Sequence, residues 1–263
     1  MQQEEDWWRK VLAGTHSRLR WGRRVFVRLP TYPRCKLCSA PFEGAGALLM
    51  QLVGRRLWRR NPKYCGACFK IMERRRGGVE IECTLLFADV RGSVELAEGR
   101  HPTEFRALID RFYNSAVRVL VEHDAIVDKL VGDEIIGIFV PGLAGQRHAT
   151  RAIESARALL AATGHNSTSP WIPIGIGVHT GSAFVGTVGE APHLEFTALG
   201  DTVNTCARLA SSAGKGEVLA SAVTARAANL NTGLEQRALS LKGKGAKTEV
   251  VVLRSTSQSS PLT

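Results

Sequence analysis

The segment DKLVGDEIIGIF, Asp128 to Phe139, restricts the fold more than any other part of the chain. With the residues before it, it reads as two short apolar strands, AIVDKL and EIIGIFV, which meet at Val131-Gly132-Asp133. A Gly-Asp step between such runs marks a tight hairpin. Lys129 and Asp133 are set into or beside these strands. Charge in an apolar strand is costly unless it is paired or bound to something. The hairpin is therefore expected to carry chemistry as well as structure.

The surrounding pattern extends the hairpin into a sheet. VEIECTLLFADV is expected to be a strand ending at Asp89. TEFRALIDRFYNSAVRVLVEH places Phe105, Leu108, Ile109, Phe112, Ala116, Val119 and Leu120 at helical spacing. RHATRAIESARALLAAT predicts a second helix, and IPIGIGVHTG with SAFVGTVG predicts another hairpin about Thr180-Gly181-Ser182. DTVNTCARLASSA predicts a third helix with Asp201 as its N-cap. GEVLASAVT follows as a strand and short helix, and LSLKGKGAKTEVVVLR closes with strands. The order β-α-β-β-α-β, with extensions, is an α+β domain of ferredoxin-like type. A hydrophobic content of 44% is enough for a packed core.

Charge divides the chain. Residues 1–79 hold 18 Lys+Arg against 5 Asp+Glu, and residues 80–263 hold 17 against 19. Such asymmetry predicts two units with different partners. Residues 4–20 are expected to form a helix carrying Trp7, Trp8 and Leu12. RLRWGRRVFVRLP interleaves Trp21, Phe26 and Val27 with arginines. It suits an anionic membrane surface, nucleic acid, or a plain solvated linker. ERRRGG reads as a linker and STSQSSPLT as a disordered tail. The expected division is a basic amphipathic helix and linker at 1–28, a cysteine module at 29–72, a linker at 73–78, a catalytic-type domain at 79–254 and a tail at 255–263. No apolar run reaches the roughly 18 residues a membrane span needs. MQQEEDWWRK has no signal-peptide core, so a cytoplasmic protein is expected.

Four of six cysteines form two CxxC pairs, Cys35/Cys38 and Cys65/Cys68, with 26 residues between them. In a cytoplasmic chain this favours metal over disulfides. Four thiolates suit a structural Zn²⁺, with an iron–sulfur cluster as the alternative. Gly44, Gly46 and Gly54 are expected to let the chain double back, and the metal to be needed for folding. Cys83 and Cys206 read as core thiols.

Asp89 and Asp133 are expected on neighbouring strands. Two carboxylates on short rigid supports suit Mg²⁺. Val90-Arg91-Gly92-Ser93 then opens toward a helix, where main-chain N–H groups suit phosphate. Taken singly, Asp133 is also an ordinary turn residue and Asp89 an ordinary cap. Asn204 and Arg208, four apart, share a helix face, with Val203, Cys206, Ala207 and Ala210 on the other side. An amide and a guanidinium suit a sugar oxygen and a phosphate; an exposed polar face is the plain alternative.

FADVRGS, DKLVGDEIIGIF, GIGVHTG, FTALGDTVNTCARL and LKGKG, in this order, resemble the catalytic domain of class III nucleotide cyclases. The resemblance covers about residues 79–254. It implies that Asp89 and Asp133 are the metal aspartates, with Val90 beside them in the metal set, and that two Mg²⁺ or Mn²⁺ ions bind. It implies that Lys129 reads adenine and that Thr197 is the second purine contact, as in a bacterial-type subgroup. Asn204 and Arg208 match the pair that orients the ribose and stabilises the transition state. Gly92 and Ser93 face phosphate, and Lys242 or Lys244 supplies a triphosphate lysine. The family pairs head to tail, so the resemblance implies a homodimer acting on ATP and a cyclic AMP product; the attachment of the N-terminal module to such a domain makes a regulatory role for the module the expectation.

Two other readings stand beside this one. VGDEI is similar to the Gly-Gly-Asp-Glu-Phe signature of diguanylate cyclases, but the doubled glycine and Phe are absent; a guanylate cyclase belongs to the same enzyme class. The basic half also fits a zinc nucleic-acid-binding protein with an inactive cyclase-like dimerisation domain. The complete site set stands against that, so no stable nucleic-acid partner is expected; the basic segment is left as a solvated face or linker, with a peripheral anionic-membrane contact as the alternative.

Overall fold

The computed structural model describes residues 2–14, 25–26, 28–29, 33–58, 63–241 and 247–255, and only the main chain of residues 129–131. The elements in chain order are α1 (Gln2–Leu12), α2 (Gly44–Leu52), α3 (Gly66–Arg74), β1 (Gly78–Val90), α4 (Ser93–Glu98), α5 (Pro102–Glu122), β2 (Ile126–Val131) and β3 (Glu134–Phe139). There follow α6 (Pro141–Ala144), α7 (His148–Ala162), β4 (Ile174–Val188), β5 (Glu195–Leu199), α8 (Asp201–Ser212), β6 (Glu217–Ser221), α9 (Ala222–Ala227), β7 (Gln236–Leu239) and β8 (Thr248–Arg254).

The strands form one sheet in the order β2-β3-β1-β4-β6-β8-β7, with β5 also paired to β4. Its first four strands, with α5 and α7 as the crossovers, are the βαββαβ unit of a ferredoxin-like α+β fold. Alternation along β1 sends Leu86 and Ala88 to one face and Leu85 and Phe87 to the other. The first face packs under α5 and α7, through Phe112, Leu120, Ala152 and Leu159.

The second face is covered by α8 and by the N-terminal module. Trp8, Tyr64, Phe69 and Met72 join one apolar core with Leu85, Phe87, Ile138 and Phe196. Each large side chain buried there contributes roughly 2–3 kcal/mol. Trp8 Nε1–H donates to the Arg75 carbonyl at 2.9 Å, and its ring lies 5.6 Å from Phe196. A Cβ on Gly142 would lie 2.2 Å from the Val11 carbonyl, so α1 is seated directly on α6. The module is thus part of the packed body.

Several local expectations are corrected. β4 is one continuous 15-residue strand, not a hairpin about Thr180-Gly181-Ser182. β1 offers it a partner along nearly its whole length, from Ile174 opposite Val90 to Gly186 opposite Gly78. Gly181 serves close packing, since a Cβ there would lie 2.8 Å from Thr202 Oγ1. Asp201 is the first residue of α8, and Gly200, at φ 128°, holds the cap position. The N-terminal helix ends at Leu12, followed by Gly14 at φ 86°; residues 15–20 lie outside the described set. Gly46 is inside α2 rather than in a turn. Glu73 and Arg74 end α3, leaving Arg75–Gly77 as the connection. No helix among the described residues is long and apolar enough to cross a membrane.

Candidate active site and metal centre

The acidic end of the site follows from strand register. Asp89 on β1 lies opposite Glu134 on β3, and the Val90 N–H donates to the Asp133 carbonyl at 3.2 Å. Asp89 and Asp133 therefore stand at the same end of adjacent strands. Gly132, at φ 61°, makes the turn that holds Asp133 there, and the Tyr113 hydroxyl donates to the Gly132 carbonyl at 2.5 Å. Burial pushes the Glu134 carboxyl up, and Asp133 pushes it further. Arg91 forms an ion pair with Asp89, and its Nη1 donates to the Ser211 carbonyl at 2.9 Å. Burial lowers the Arg91 pKa, while Asp133 and Glu134 pull it back up. Asp89, Asp133 and Glu134 bring hard oxygen donors to this end of the sheet beside the Arg91 guanidinium, and carboxylate oxygens are the donor type that suits Mg²⁺ or Mn²⁺. Gly92, at φ 68°, and Ser93 then open α4 beside it.

On α8, Asn204 is exposed and Arg208 half-buried, while Cys206, Leu209 and Ala210 are buried beneath them. Gly177 permits this packing: a Cβ there would lie 2.3 Å from the Ala210 nitrogen. Arg91 meets the end of α8 at Ser211. Asn204 lies two turns earlier, roughly 10 Å along the helix axis. The acidic pair and the amide of one chain thus sit at different ends of α8.

Of the two residues expected to contact a purine, Thr197 meets the residue next to the other, Asp128, which the sequence reading left unassigned. Lys129 is on β2, where its main chain alone is described, and Thr197 is on β5. Between them, the Thr197 hydroxyl donates to Asp128 Oδ2 at 2.6 Å. Lys36 Nζ donates to Asp128 Oδ1 at 2.8 Å, the Asp128 carbonyl at 2.8 Å and the Phe196 carbonyl at 2.6 Å. Burial pushes the Lys36 pKa down, and Asp128 opposes that shift. The Phe196 N–H donates to the Tyr64 hydroxyl at 2.9 Å, and that hydroxyl donates to Glu195 Oε2 at 3.2 Å. Lys63 Nζ reaches Glu195 Oε1 at 2.8 Å. The signal for Asp128 was present, since it shares a strand face with buried Ile126. Lys36 and Tyr64 gave no signal, because their partners are far away in sequence. Lys242 and Lys244 lie outside the described residues, as do Trp21, Val27 and most of the basic stretch.

Lys36 and Tyr64 belong to the two cysteine knuckles. Cys35, Cys38, Cys65 and Cys68 are all buried, and their sulfurs lie within 4.8 Å of one another. The Cys38 and Cys65 sulfurs are 3.8 Å apart. A tetrahedron with Zn–S near 2.3 Å has an edge of about 3.8 Å. The Cys65 N–H donates to Cys35 Sγ at 3.3 Å, and Arg55 Nη1 lies 3.9 Å from both Cys65 Sγ and Cys68 Sγ. Hydrogen bonds from Cys35 and Cys38 lower the Cys65 pKa, while burial raises that of Cys35 and the neighbouring cysteines raise that of Cys68. Four buried sulfurs this close together fit a metal ion held by all four. Cys83 is a core thiol pushed up to about 12 by burial, and burial likewise raises Cys206.

Comparison with known proteins gives this site a family. The profile of the adenylate and guanylate cyclase catalytic domain matches residues 79–254, and the chain belongs to that family. Adenylate cyclase 1 of Rhizobium meliloti is 33% identical over 134 residues, 49% of this chain and 20% of that protein. An uncharacterised protein of Mycobacterium tuberculosis is 33% identical over 157 residues, 59% of this chain and 27% of that protein. The matched region is thus under a third of the length of these relatives. Among solved structures, the guanylyl cyclase Cya2 superposes with a TM-score of 0.58 at 25% identity, covering 67% of this chain and 93% of that one. The adenylyl cyclase CyaB from P. aeruginosa gives 0.58 at 24% identity, covering 67% and 95%. The fold is common to cyclases of both bases, so the choice of base falls to the side chains.

Proposed function

We propose that the protein is an adenylate cyclase, converting ATP to 3′,5′-cyclic AMP and pyrophosphate in a head-to-tail homodimer. The observation that carries this reading is the register that sets Asp89 and Asp133 at one end of adjacent strands, with Asn204 roughly two helical turns from the point where Arg91 meets α8. In a head-to-tail pair, one chain offers the acidic residues and its partner offers α8 and the purine residues. The carboxylates of Asp89 and Asp133, with the Val90 carbonyl, are the groups that would hold two Mg²⁺ or Mn²⁺ ions. Once bound, such ions lower the pKa of the ribose 3′-hydroxyl and neutralise the departing pyrophosphate.

The remaining chemistry belongs to the chain. Asn204 orients the ribose. Arg208 takes charge developing at the α-phosphate, where a fixed cation in a partly dry site is most effective. The main chain at Gly92 and Ser93, with Lys242 or Lys244, binds phosphate oxygens. Lys129 and Thr197 read the base. Arg91 holds Asp89 in place and must give way when cations enter, so metal binding is coupled to a side-chain movement. Positioning and electrostatics supply most of the rate.

The cysteine cluster supports a single tetrahedral Zn²⁺, since sulfurs this close leave room for one ion and not for a multi-iron cluster. An ion held by Cys35, Cys38, Cys65 and Cys68 would tie together the two knuckles that touch β2 and β5, which would give the module a route to regulate the site.

The test is turnover of ATP and GTP by purified protein with Mg²⁺ or Mn²⁺, the product identified by mass. Cyclic AMP from ATP, lost in Asp89→Ala, is expected. Cyclic GMP as the main product overturns the base assignment, and equal turnover in the Asp89→Ala variant overturns the metal assignment.

A further inference from the structure

Thr197 has one hydroxyl proton, and both oxygens that meet it belong to the protein. They are Asp128 Oδ2 at 2.6 Å and the Ala198 carbonyl at 3.4 Å. Among the described residues no hydrogen bond is donated to the Thr197 oxygen. Asp128 and Thr197 are nearly buried, at 7% and 4% exposure, so water competes little for this bond. The second oxygen of Asp128 is taken by Lys36 at 2.8 Å, and the same ammonium holds the Asp128 and Phe196 carbonyls. An ionised carboxylate only accepts and an ammonium only donates. The direction of every hydrogen bond in the chain Lys36–Asp128–Thr197 is therefore fixed.

We infer that Asp128, oriented by Lys36 of the cysteine module, is a positioning residue for base choice: it makes Thr197 a pure hydrogen-bond acceptor. An acceptor suits the 6-amino group of adenine, a donor. It repels the 6-oxo group of guanine, an acceptor. The inference rests on the proposed role of Thr197 as a purine contact and explains why a threonine, which by itself both donates and accepts, discriminates. It also makes the cysteine module part of the purine-reading wall, because Lys36 lies between the ligands Cys35 and Cys38.

Asp128→Asn tests the polarity with little change of shape. Lys36 commands the carbonyl end of the new amide, which turns its NH₂ toward Thr197. The Thr197 proton is then released toward the base. The ATP-to-GTP ratio of kcat/KM should fall by about ten-fold, the scale of one hydrogen bond made or lost. The double change Lys36→Met with Asp128→Asn removes both charges together. The amide is then free to turn its carbonyl back to Thr197, and part of the preference should return.

The ratio is read from turnover and, in parallel, from binding of non-hydrolysable ATP and GTP analogues. Simple structural damage lowers both nucleotides together and leaves the ratio alone. Thr197→Val is measured beside these variants. If it lowers the ratio while Asp128→Asn leaves it unchanged, the role of Asp128 is overturned and the reading of Thr197 stands. A double variant no different in ratio from Asp128→Asn overturns the part given to Lys36. An unchanged ratio in Thr197→Val, or a wild type with no preference, overturns the purine reading itself and this inference with it.

Discussion

Replacing Lys36 by Met should be among the most damaging single changes in the molecule, although Lys36 touches neither the acidic pair nor α8. Its side chain is 5% exposed and faces Asp128, whose side chain is 4% exposed. Met fills similar space but leaves the Asp128 carboxylate and the Asp128 and Phe196 carbonyls without their donor. Removing one partner of a buried ion pair costs about 3–5 kcal/mol. Whole domains are stable by only about 5–15 kcal/mol. Adding Asp128→Asn removes the stranded charge, so the double variant should recover most of the loss, with a coupling of about 2 kcal/mol or more. Urea unfolding followed by tryptophan fluorescence measures all four corners of the cycle, and Trp8 beside Phe196 reports on this contact. A Lys36→Met variant within about 1 kcal/mol of wild type, the range of a solvated surface pair, refutes the reasoning.

Other consequences follow from the same structure. The cysteine cluster should release one equivalent of metal per chain to a strong chelator, with loss of near-ultraviolet circular dichroism from the aromatic core around Tyr64 and Phe69; a full spectrum after metal removal contradicts a structural metal. Burial alone would push the Glu217 carboxyl up, but Arg237, the Gly214 N–H and Arg254 outweigh it and hold it at about 2, against an ordinary value of 4.5. Its folded pKa is depressed, so the stability it contributes is present above pH 4.5 and is lost as pH falls toward 2. Acid titration of Glu217→Gln should show a shallower loss in that window. Gly177→Ala should lower the melting temperature in calorimetry, since the new methyl collides with Cys206 and Ala210 main-chain atoms; overpacking of this kind costs about 1–3 kcal/mol. It should also depress kcat, because α8 carries Asn204 and Arg208.

What could be read from sequence was what lies in short windows. The β1 pattern, the Gly132 hairpin and the spacing of α5 are set by local periodicity and turn chemistry, and they appear where the residues predict them. The acidic pair followed from the strand order that such periodicity implies. Thr180-Gly181-Ser182 misled because its turn-like composition was overridden by a partner strand, β1, nearly 100 residues earlier. Docking of the module was not legible for a similar reason. Lys36 is 92 residues from Asp128, and Tyr64 is 131 from Glu195. Nothing local distinguishes a lysine inside a cysteine knuckle that will be buried from one that stays in solvent. Asp128 was the missed clue, a carboxylate in an apolar alternation whose cation had to come from elsewhere in the chain.

The central claim is a site shared between two chains, and mixing two inactive variants tests it most directly. Asp89→Ala removes the acidic contribution and leaves α8 intact; Arg208→Ala does the reverse. Each alone should be nearly inactive in production of cyclic AMP. Unfolded and refolded together in equal amounts, half the dimers pair one of each, and each such dimer has one intact site, so activity should return to about a quarter of wild type. No recovery in a mixture shown to exchange subunits would contradict the shared site and place the whole of catalysis within one chain.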